Sequence, residues 1–173
     1  MHVRFVSRAA LAILFLSPLT CSLQAAVEIQ ELLLEPTDAK REREVPVKVY
    51  LAEGPRPVIL FSHGLGGSRE NSAYLGRYWA EAGYAVVFMQ HHGSDEDVWK
   101  NARLGERLAA LKKAASVQSS QDRFADVPFV IDQLEIWNKQ DGHPLKGKLD
   151  LEHIVMSGHS YGAVTTLAVA GRK

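Results

Sequence analysis

The chain has 173 residues, of which 46% are hydrophobic and 23% are charged, so its length and composition are those of one globular domain. Its 20 lysines and arginines balance its 20 aspartates and glutamates, which excludes a basic field that would recruit nucleic acid and an acidic tail that would stay solvated. We therefore expect no nucleic acid or other polyanion as a partner.

The first 26 residues have the pattern of a secretory signal peptide. Arg4 and Arg8 precede an apolar run over residues 9–16, and small residues up to Ala26 suit cleavage. The run is shorter than the roughly 20 residues that cross a bilayer, which disfavours a membrane anchor. We expect an exported protein, periplasmic or secreted, with no stable membrane insertion after the signal is cleaved.

The only cysteine, Cys21, lies inside this leader. The mature domain, residues 27–173, would then contain neither a disulfide nor a thiol nucleophile. A lipid anchor on Cys21 stays open as an alternative, although the preceding Pro18-Leu19-Thr20 fits a lipoprotein cleavage site poorly.

The first predicted elements of the domain are strands. Residues 27–35 and 45–51 alternate in polarity, and we expect them to pair antiparallel across an exposed connection. Residues 58–61 and 85–89 are unbroken apolar runs, typical of strands covered on both faces. A helix is predicted over residues 69–82, with one apolar stripe formed by Tyr74, Leu75, Tyr78 and Trp79. Strand, helix and strand with this spacing make a right-handed parallel crossover.

Two amphipathic helices are predicted next. The first covers residues 101–115, where leucines at helical spacing lie beside arginines and lysines. We expect an outer or lid-like helix, with binding to an anionic membrane surface as the alternative. The second covers residues 126–137, with Asp126 as the N-cap and Pro128 in the first turn.

A G-x-S-x-G pattern, Gly158-His159-Ser160-Tyr161-Gly162, stands between an apolar strand and an apolar helix. This context predicts a sharp strand-to-helix turn that holds Ser160 above the sheet, with Gly158 and Gly162 where a Cβ would not fit. Ser160 is the candidate nucleophile.

A second motif, His63-Gly64-Leu65-Gly66-Gly67, follows the first apolar strand. Attack of Ser160 on an ester carbonyl creates an oxyanion that two backbone N–H groups must stabilise, and a glycine-rich loop lets the backbone approach closely. The pair of motifs therefore predicts acyl-transfer chemistry.

At these residues the chain resembles the α/β-hydrolase superfamily. The segments that are similar to its platelet-activating-factor acetylhydrolase and dienelactone-hydrolase branch are residues 61–67, 82–95 and 122–134. The resemblance implies a mostly parallel sheet with helices on both faces, and an enzyme that hydrolyses small-molecule carboxylic esters without a cofactor or metal. It also implies that the N–H groups of Leu65 and Tyr161 form the oxyanion hole, and that His63 and Gly64 shape the loop.

The sequence departs from this superfamily after the nucleophile. The acid and the histidine of the triad follow the elbow helix in the family, whereas this sequence ends at Lys173. We expect an incomplete domain that lacks the later strands, with little activity and an open edge at residues 153–157 that favours self-association. The alternative is a non-catalytic binding remnant.

The other histidines are weaker candidates for chemistry. We expect His63 to shape the loop rather than to act as a base, and His159 to fill the packing beneath the elbow. His91 and His92 precede Asp95, but adjacent histidines rarely present both rings to one metal ion. This loop is therefore predicted to be a solvated rim and not a metal centre.

Overall fold

The computed structural model describes residues 28–171, which form a five-stranded sheet flanked by helices. The predicted signal peptide and Cys21 lie outside these residues. The strands are β1 (Gln30–Leu34), β2 (Thr37–Asp38), β3 (Arg43–Glu44), β4 (Val47–Leu51), β5 (Arg56–Ser62), β6 (Ala85–Met89) and β7 (Leu149–Gly158). The helices are α1 (Ala73–Glu81), α2 (Asp97–Lys100), α3 (Arg107–Ala114), α4 (Val117–Lys139) and α5 (Tyr161–Ala170), with a 3-10 turn at Leu104–Glu106.

The sheet is mixed, with strand order β1-β4-β6-β5-β7, while β2 and β3 form a separate small hairpin. β4 pairs antiparallel with β1 and β6, and β5 pairs parallel with β6 and β7. The predicted antiparallel first pair and the parallel crossover through α1 are confirmed. Among the described residues β7 is an edge strand, but self-association through that edge stays a prediction.

Alternate side chains of the central strands supply two apolar cores, one on each face of the sheet. Val58 and Leu60 of β5 join the core that contains apolar residues of α4, whereas Ile59 and Phe61 join the core that contains residues of α1. Both faces of β5 are thus covered, which explains why its sequence is apolar without alternation.

Helix α1 differs from its prediction. It begins at Ala73, and the aromatic residues Tyr74 and Tyr78 are 75% and 65% exposed. Leu75 and Trp79 of the predicted stripe do pack, partly buried, against the core, and the fully buried residues of the helix are the small Gly76 and Ala80. A Cβ at position 76 would lie 2.5 Å from the Tyr50 ring, so close approach of the helix to the sheet requires glycine there.

The predicted helix over residues 101–115 is wrong in its start and in its buried face. Residues Asp97–Lys100 form a separate short helix, and the helical segment resumes as a 3-10 turn that leads into α3. Leu104 is 80% exposed and Leu108 is 65% exposed. The leucine stripe therefore does not mark a buried face.

No helix among residues 28–171 combines the length and apolarity that membrane crossing requires.

Helix α4 begins nine residues before the predicted start. Its N-cap is Ser116, whose hydroxyl accepts from the Ser119 N–H at 3.1 Å. Asp126 is not an N-cap: it lies in the middle of the helix, fully buried, with its carboxylate paired to side chains outside the helix. Pro128 therefore lies inside the helix rather than in its first turn.

Candidate active site

The loops after β5 and β7 leave the same edge of the sheet, because the strands run parallel and Ser62 pairs with Gly158 in their register. A Cβ built on Gly64 would lie 3.4 Å from Ser160 Cβ, so the glycine loop contacts the elbow directly. Together they enclose a cavity of about 290 Å³. The cavity is lined by Phe61, His63, Gly64, Leu65, Gly66, Gly67, Asn71, Ser72, His159 and Ser160.

The elbow is a strained turn. Ser160 has φ 54° and ψ −115°, a conformation that costs a non-glycine residue about 1–3 kcal/mol and that surrounding packing must enforce. A Cβ on Gly158 would overlap the carbonyl of Gly162, and a Cβ on Gly162 would overlap the carbonyl of Ser62. Both elbow glycines are therefore required by close backbone contact, and the tight turn places Ser160 at the cavity wall.

The Leu65 N–H has a fixed direction. The preceding carbonyl, that of Gly64, accepts from the Gly67 N–H at 3.0 Å and from Nδ1 of His63 at 2.6 Å. A trans peptide is planar, with its N–H opposite its C=O, so the Leu65 N–H points away from these two donors. It donates to no other residue within 28–171.

The Tyr161 N–H is oriented in the same way. The Ser160 carbonyl accepts from the Ala163 N–H at 2.9 Å, so the Tyr161 N–H across that peptide points in the opposite direction. Tyr161 is the first residue of α5, where helical N–H groups have no intrahelical acceptor. Like that of Leu65, its N–H has no acceptor in the described part of the chain.

Ser160 is exposed, and its hydroxyl has no hydrogen-bonding partner among residues 28–171. His63, in the same cavity wall, is not available as a base. Its Nε2 accepts from the His91 N–H at 3.1 Å, which leaves Nδ1–H to donate to the Gly64 carbonyl. Burial lowers the pKa of His63 to about 3, so the ring is neutral at pH 7 with both nitrogens engaged.

His159 is exposed at the cavity, contrary to the expectation that it fills the packing under the elbow. The reason is that Gly162 approaches the Ser62 carbonyl so closely that no side chain fits between the elbow and β5. The His159 imidazole instead extends beside Gly64, whose Cβ position would be 3.2 Å from its Nδ1.

The loop after β6 is not the solvated rim that the sequence predicts, because His91 and Asp95 are fully buried. His91 Nε2 lies 2.9 Å from the Ser62 hydroxyl, and His91 Nδ1 lies 2.8 Å from the Asp126 carboxylate. Burial lowers the pKa of His91 to about 4, so it is neutral and can connect a serine to a carboxylate.

Ligand-type atoms of His92, Asp95 and Asp97 lie within 4.8 Å of one another and are the described residues that could hold a metal ion. Two of them are already joined, since His92 Nδ1 and Asp95 Oδ2 lie 2.9 Å apart. This bond raises the pKa of His92. The closeness of His92 and Asp95 is therefore also explained, without a metal ion, by an ion pair that fixes the loop.

Arg123 of α4, which the sequence patterns did not single out, is fully buried and donates to the carbonyl of His63. A signal for it exists, because positions 123, 127, 130 and 134 recur at helical spacing. The last three are Val127, Val130 and Leu134, all buried. An arginine in line with such a stripe indicates a buried cation whose partners lie elsewhere in the chain.

Comparisons with known proteins agree with this architecture. Residues 28–96 match the family model described as platelet-activating factor acetylhydrolase, isoform II. No curated protein sequence matches the chain significantly.

The solved structures that share the fold include two bacterial dienelactone hydrolases, one of them putative, and a ferulic acid esterase. A ferulic acid esterase from Streptomyces cinnamoneus has a TM-score of 0.65 at 19% identity, over 85% of this chain and 56% of its own. A dienelactone hydrolase from Anabaena variabilis has a TM-score of 0.54 at 15% identity, over 82% and 57%. A putative dienelactone hydrolase from Klebsiella pneumoniae has a TM-score of 0.58 at 16% identity, over 83% and 56%. The chain thus spans little more than half the length of each.

Proposed function

We propose that this chain, a member of the α/β-hydrolase superfamily, supplies the nucleophile and the oxyanion hole of an exported serine hydrolase that cleaves carboxylic esters. The nucleophile is Ser160, and the oxyanion donors are the N–H groups of Leu65 and Tyr161. His63 and Gly64 support the first donor, while the elbow glycines support the second. The substrate is a small-molecule ester, and the chemistry needs no cofactor.

The observation that carries this proposal is the convergence of three groups without protein partners. The Leu65 N–H, the Tyr161 N–H and the Ser160 hydroxyl have no hydrogen-bonding partner within residues 28–171, and the loops that carry them meet at one cavity. None of the three residues is buried, so the groups are accessible to a molecule that enters the cavity. Unpaired donors next to a strained, exposed serine are the arrangement that an incoming ester carbonyl would complete.

The reaction follows from this arrangement. Ser160 Oγ attacks the carbonyl carbon, its proton passes to a general base, and the carbonyl oxygen becomes an oxyanion held by the two amides, each contributing about 3 kcal/mol to the barrier reduction. Collapse releases the alcohol and leaves an acyl group on Ser160, which water then cleaves to give the carboxylic acid.

The general base is the remaining requirement. An unassisted serine hydroxyl is a weak nucleophile at neutral pH, and no histidine within residues 28–171 is bonded to Ser160. In the superfamily the acid and histidine follow the elbow helix in chain order. The same observation favours the second candidate function, a non-catalytic module that binds an acyl ester or carboxylate in the cavity without turnover.

A fluorophosphonate probe distinguishes the two functions. The product of the complete natural reading frame is labelled and compared with its Ser160→Ala variant. Ser72→Ala is the matched control, because Ser72 also lines the cavity and also has a positive φ, 61°. The hydrolase function predicts labelling that is lost in Ser160→Ala and kept in Ser72→Ala. Absence of Ser160-dependent labelling contradicts it and supports the binding module.

Export is proposed from the N-terminal pattern alone. Expression of the gene with its natural leader, followed by N-terminal sequencing of the protein outside the cytoplasm, should give a mature terminus near residue 26. A cytoplasmic product that retains Met1 would contradict export without affecting the proposed chemistry.

A further inference from the structure

We infer that Arg123 is a positioning residue that holds the two halves of the oxyanion hole, the glycine loop and the elbow helix, in a fixed relation to each other. The inference rests on the proposed function, because it assigns the two amides their role. Arg123 does not line the cavity. Its effect passes through the backbone segments that it joins.

Arg123 is fully buried, and its guanidinium donates to four acceptors. These acceptors belong to the end of β5, the loop after β6 and helix α5. They are Ser62 Oγ, the His63 carbonyl, Ser94 Oγ and Thr165 Oγ1. One rigid planar group thus connects three segments of the chain to α4. The flexible side chain of a lysine, whose charge is a single ammonium group, could not hold these acceptors in the same fixed geometry.

On the side of the glycine loop, Arg123 acts at both ends of the segment that carries Leu65. Nη2 donates to the carbonyl of His63, which precedes Gly64. Nη1 donates to Ser94 Oγ at 2.8 Å, and the Ser94 carbonyl accepts from the Gly66 N–H at 2.9 Å. The peptide that presents the Leu65 N–H is thereby held between two anchored points.

On the side of the elbow, Arg123 fixes the first turns of α5. Nε donates to Thr165 Oγ1 at 3.1 Å, and the guanidinium carbon lies 4.6 Å from the centre of the Tyr161 ring. The Tyr161 hydroxyl lies 2.7 Å from Ser120 Oγ, on the same helix as Arg123. The residue that offers the second oxyanion donor is therefore tied by its side chain to α4.

A chain of hydrogen bonds also connects Arg123 to the buried carboxylate of Asp126. Ser62 accepts from Nη2 at 3.0 Å, so its own proton points to His91 Nε2. His91 then carries its proton on Nδ1 and donates it to Asp126. Asp126 also accepts from Arg43 Nε at 2.9 Å. Ser62 thus links the buried arginine to the buried carboxylate, and removing one member leaves the others unsatisfied.

The cleanest test is a pair of neighbouring threonines in α5. Thr165 and Thr166 each bond a carbonyl four residues earlier, but only Thr165 also accepts from Arg123. The substitutions Thr165→Val and Thr166→Val therefore both remove an intrahelical bond, and only the first removes an Arg123 contact. Arg123→Lys keeps the charge and loses the planar fork.

Kinetics are measured on the product of the complete natural reading frame with p-nitrophenyl acetate, per folded molecule. Because a misplaced donor acts on the oxyanion and not on substrate binding, we expect kcat to fall about tenfold for Arg123→Lys and about threefold for Thr165→Val, with KM changed less than about twofold. Thr166→Val keeps the natural kcat. Equal kcat values for the two threonine variants would refute the role of Arg123.

A second readout does not depend on turnover. In the 173-residue chain, amide hydrogen exchange and ¹H–¹⁵N shifts of Leu65 and Tyr161 should change in Thr165→Val and stay unchanged in Thr166→Val. Identical amides in both variants contradict the inference, even if the enzyme is active. If the amides respond as expected but no Ser160-dependent hydrolysis exists, the coupling by Arg123 stands and the proposed function is wrong.

Discussion

Ser62 and His91 lie 2.9 Å apart through Oγ and Nε2, and the other nitrogen of His91 contacts Asp126 at 2.8 Å. The connectivity is that of a Ser-His-Asp triad, yet all three side chains are fully buried. Ser160, in contrast, is exposed at a cavity and has no histidine partner among residues 28–171. Access to substrate, and not the order of hydrogen bonds, therefore separates the candidate nucleophile from a structural serine.

The first prediction concerns these two serines. Ser62→Ala should lower the free energy of unfolding by about 1–3 kcal/mol, because Arg123 Nη2 and His91 Nε2 each lose a buried partner. Ser72→Ala, at the cavity wall and only partly buried, should change it by less than about 0.5 kcal/mol. Urea titrations measure both. Mass spectrometry of fluorophosphonate-treated protein should find the probe on Ser160 and none on Ser62; a Ser62 adduct would show that the interior is accessible.

The second prediction concerns the elbow. Gly162→Ala places a methyl group on the Ser62 carbonyl, where backbone on both sides prevents relaxation, so we expect a loss of more than about 4 kcal/mol or failure to fold. Gly105→Ala is the control, since nothing lies within 4 Å of its Cβ position. Thermal melts compare the two. If the Gly162→Ala protein melts at the same temperature as the Gly105→Ala protein, the elbow has room for a side chain at position 162 and the prediction is wrong.

The third prediction concerns Asp126. Asp126→Asn removes the anion that faces Arg41, Arg43 and His91 in the interior, and breaking such a buried pair costs about 3–5 kcal/mol. Asp132→Asn, on the exposed side of the same helix, should cost less than about 0.5 kcal/mol. Denaturant unfolding at pH 7 measures the difference. Similar values for both variants would show that solvent reaches the network.

The fourth prediction concerns pH. Burial lowers the pKa of His91 to about 4 and that of His63 to about 3, from 6.5 in the unfolded chain. Between the folded values and 6.5 the unfolded chain binds more protons, so stability is complete above pH 6.5 and falls as the pH is lowered. Each histidine contributes a slope of up to about 1.4 kcal/mol per pH unit. The raised pKa of His92 acts in the opposite sense and reduces the net slope.

Urea titrations at pH 7, 6 and 5 test this dependence. The natural chain should lose stability steadily over that range, and His91→Gln should reduce the slope because one of the two protons is no longer taken up on unfolding. Ser72→Ala, which removes no ionisable group, is the control and should keep the natural slope. A stability independent of pH in the natural chain would show that both rings are solvated and bind protons in the folded state as they do in the unfolded chain.

The sequence alone predicted those local features for which a residue pattern is typical of a single structure. Two glycines around a serine, between an apolar strand and an apolar helix, predicted the elbow because only that turn needs glycine on both sides. Unbroken apolar runs predicted β5 and β6 because only a strand covered on both faces is apolar throughout. The fold class and the meeting of the two motifs followed from these, since parallel strands end at the same edge.

Only the tertiary structure decided the polar interior. Helix α4 begins at Val117 and buries Arg123 and Asp126, although polar residues in a helical pattern are usually solvated. His91 and Asp95 are buried for a similar reason. A buried charge is stable only when partners distant in sequence complete its hydrogen bonds, and Arg123 takes its acceptors from residues 29 to 61 positions away. The helical periodicity of a sequence shows which residues share a face of the helix. The hydrogen-bonding partners that stabilise a buried charge depend on how the strands and helices pack, which the periodicity does not show.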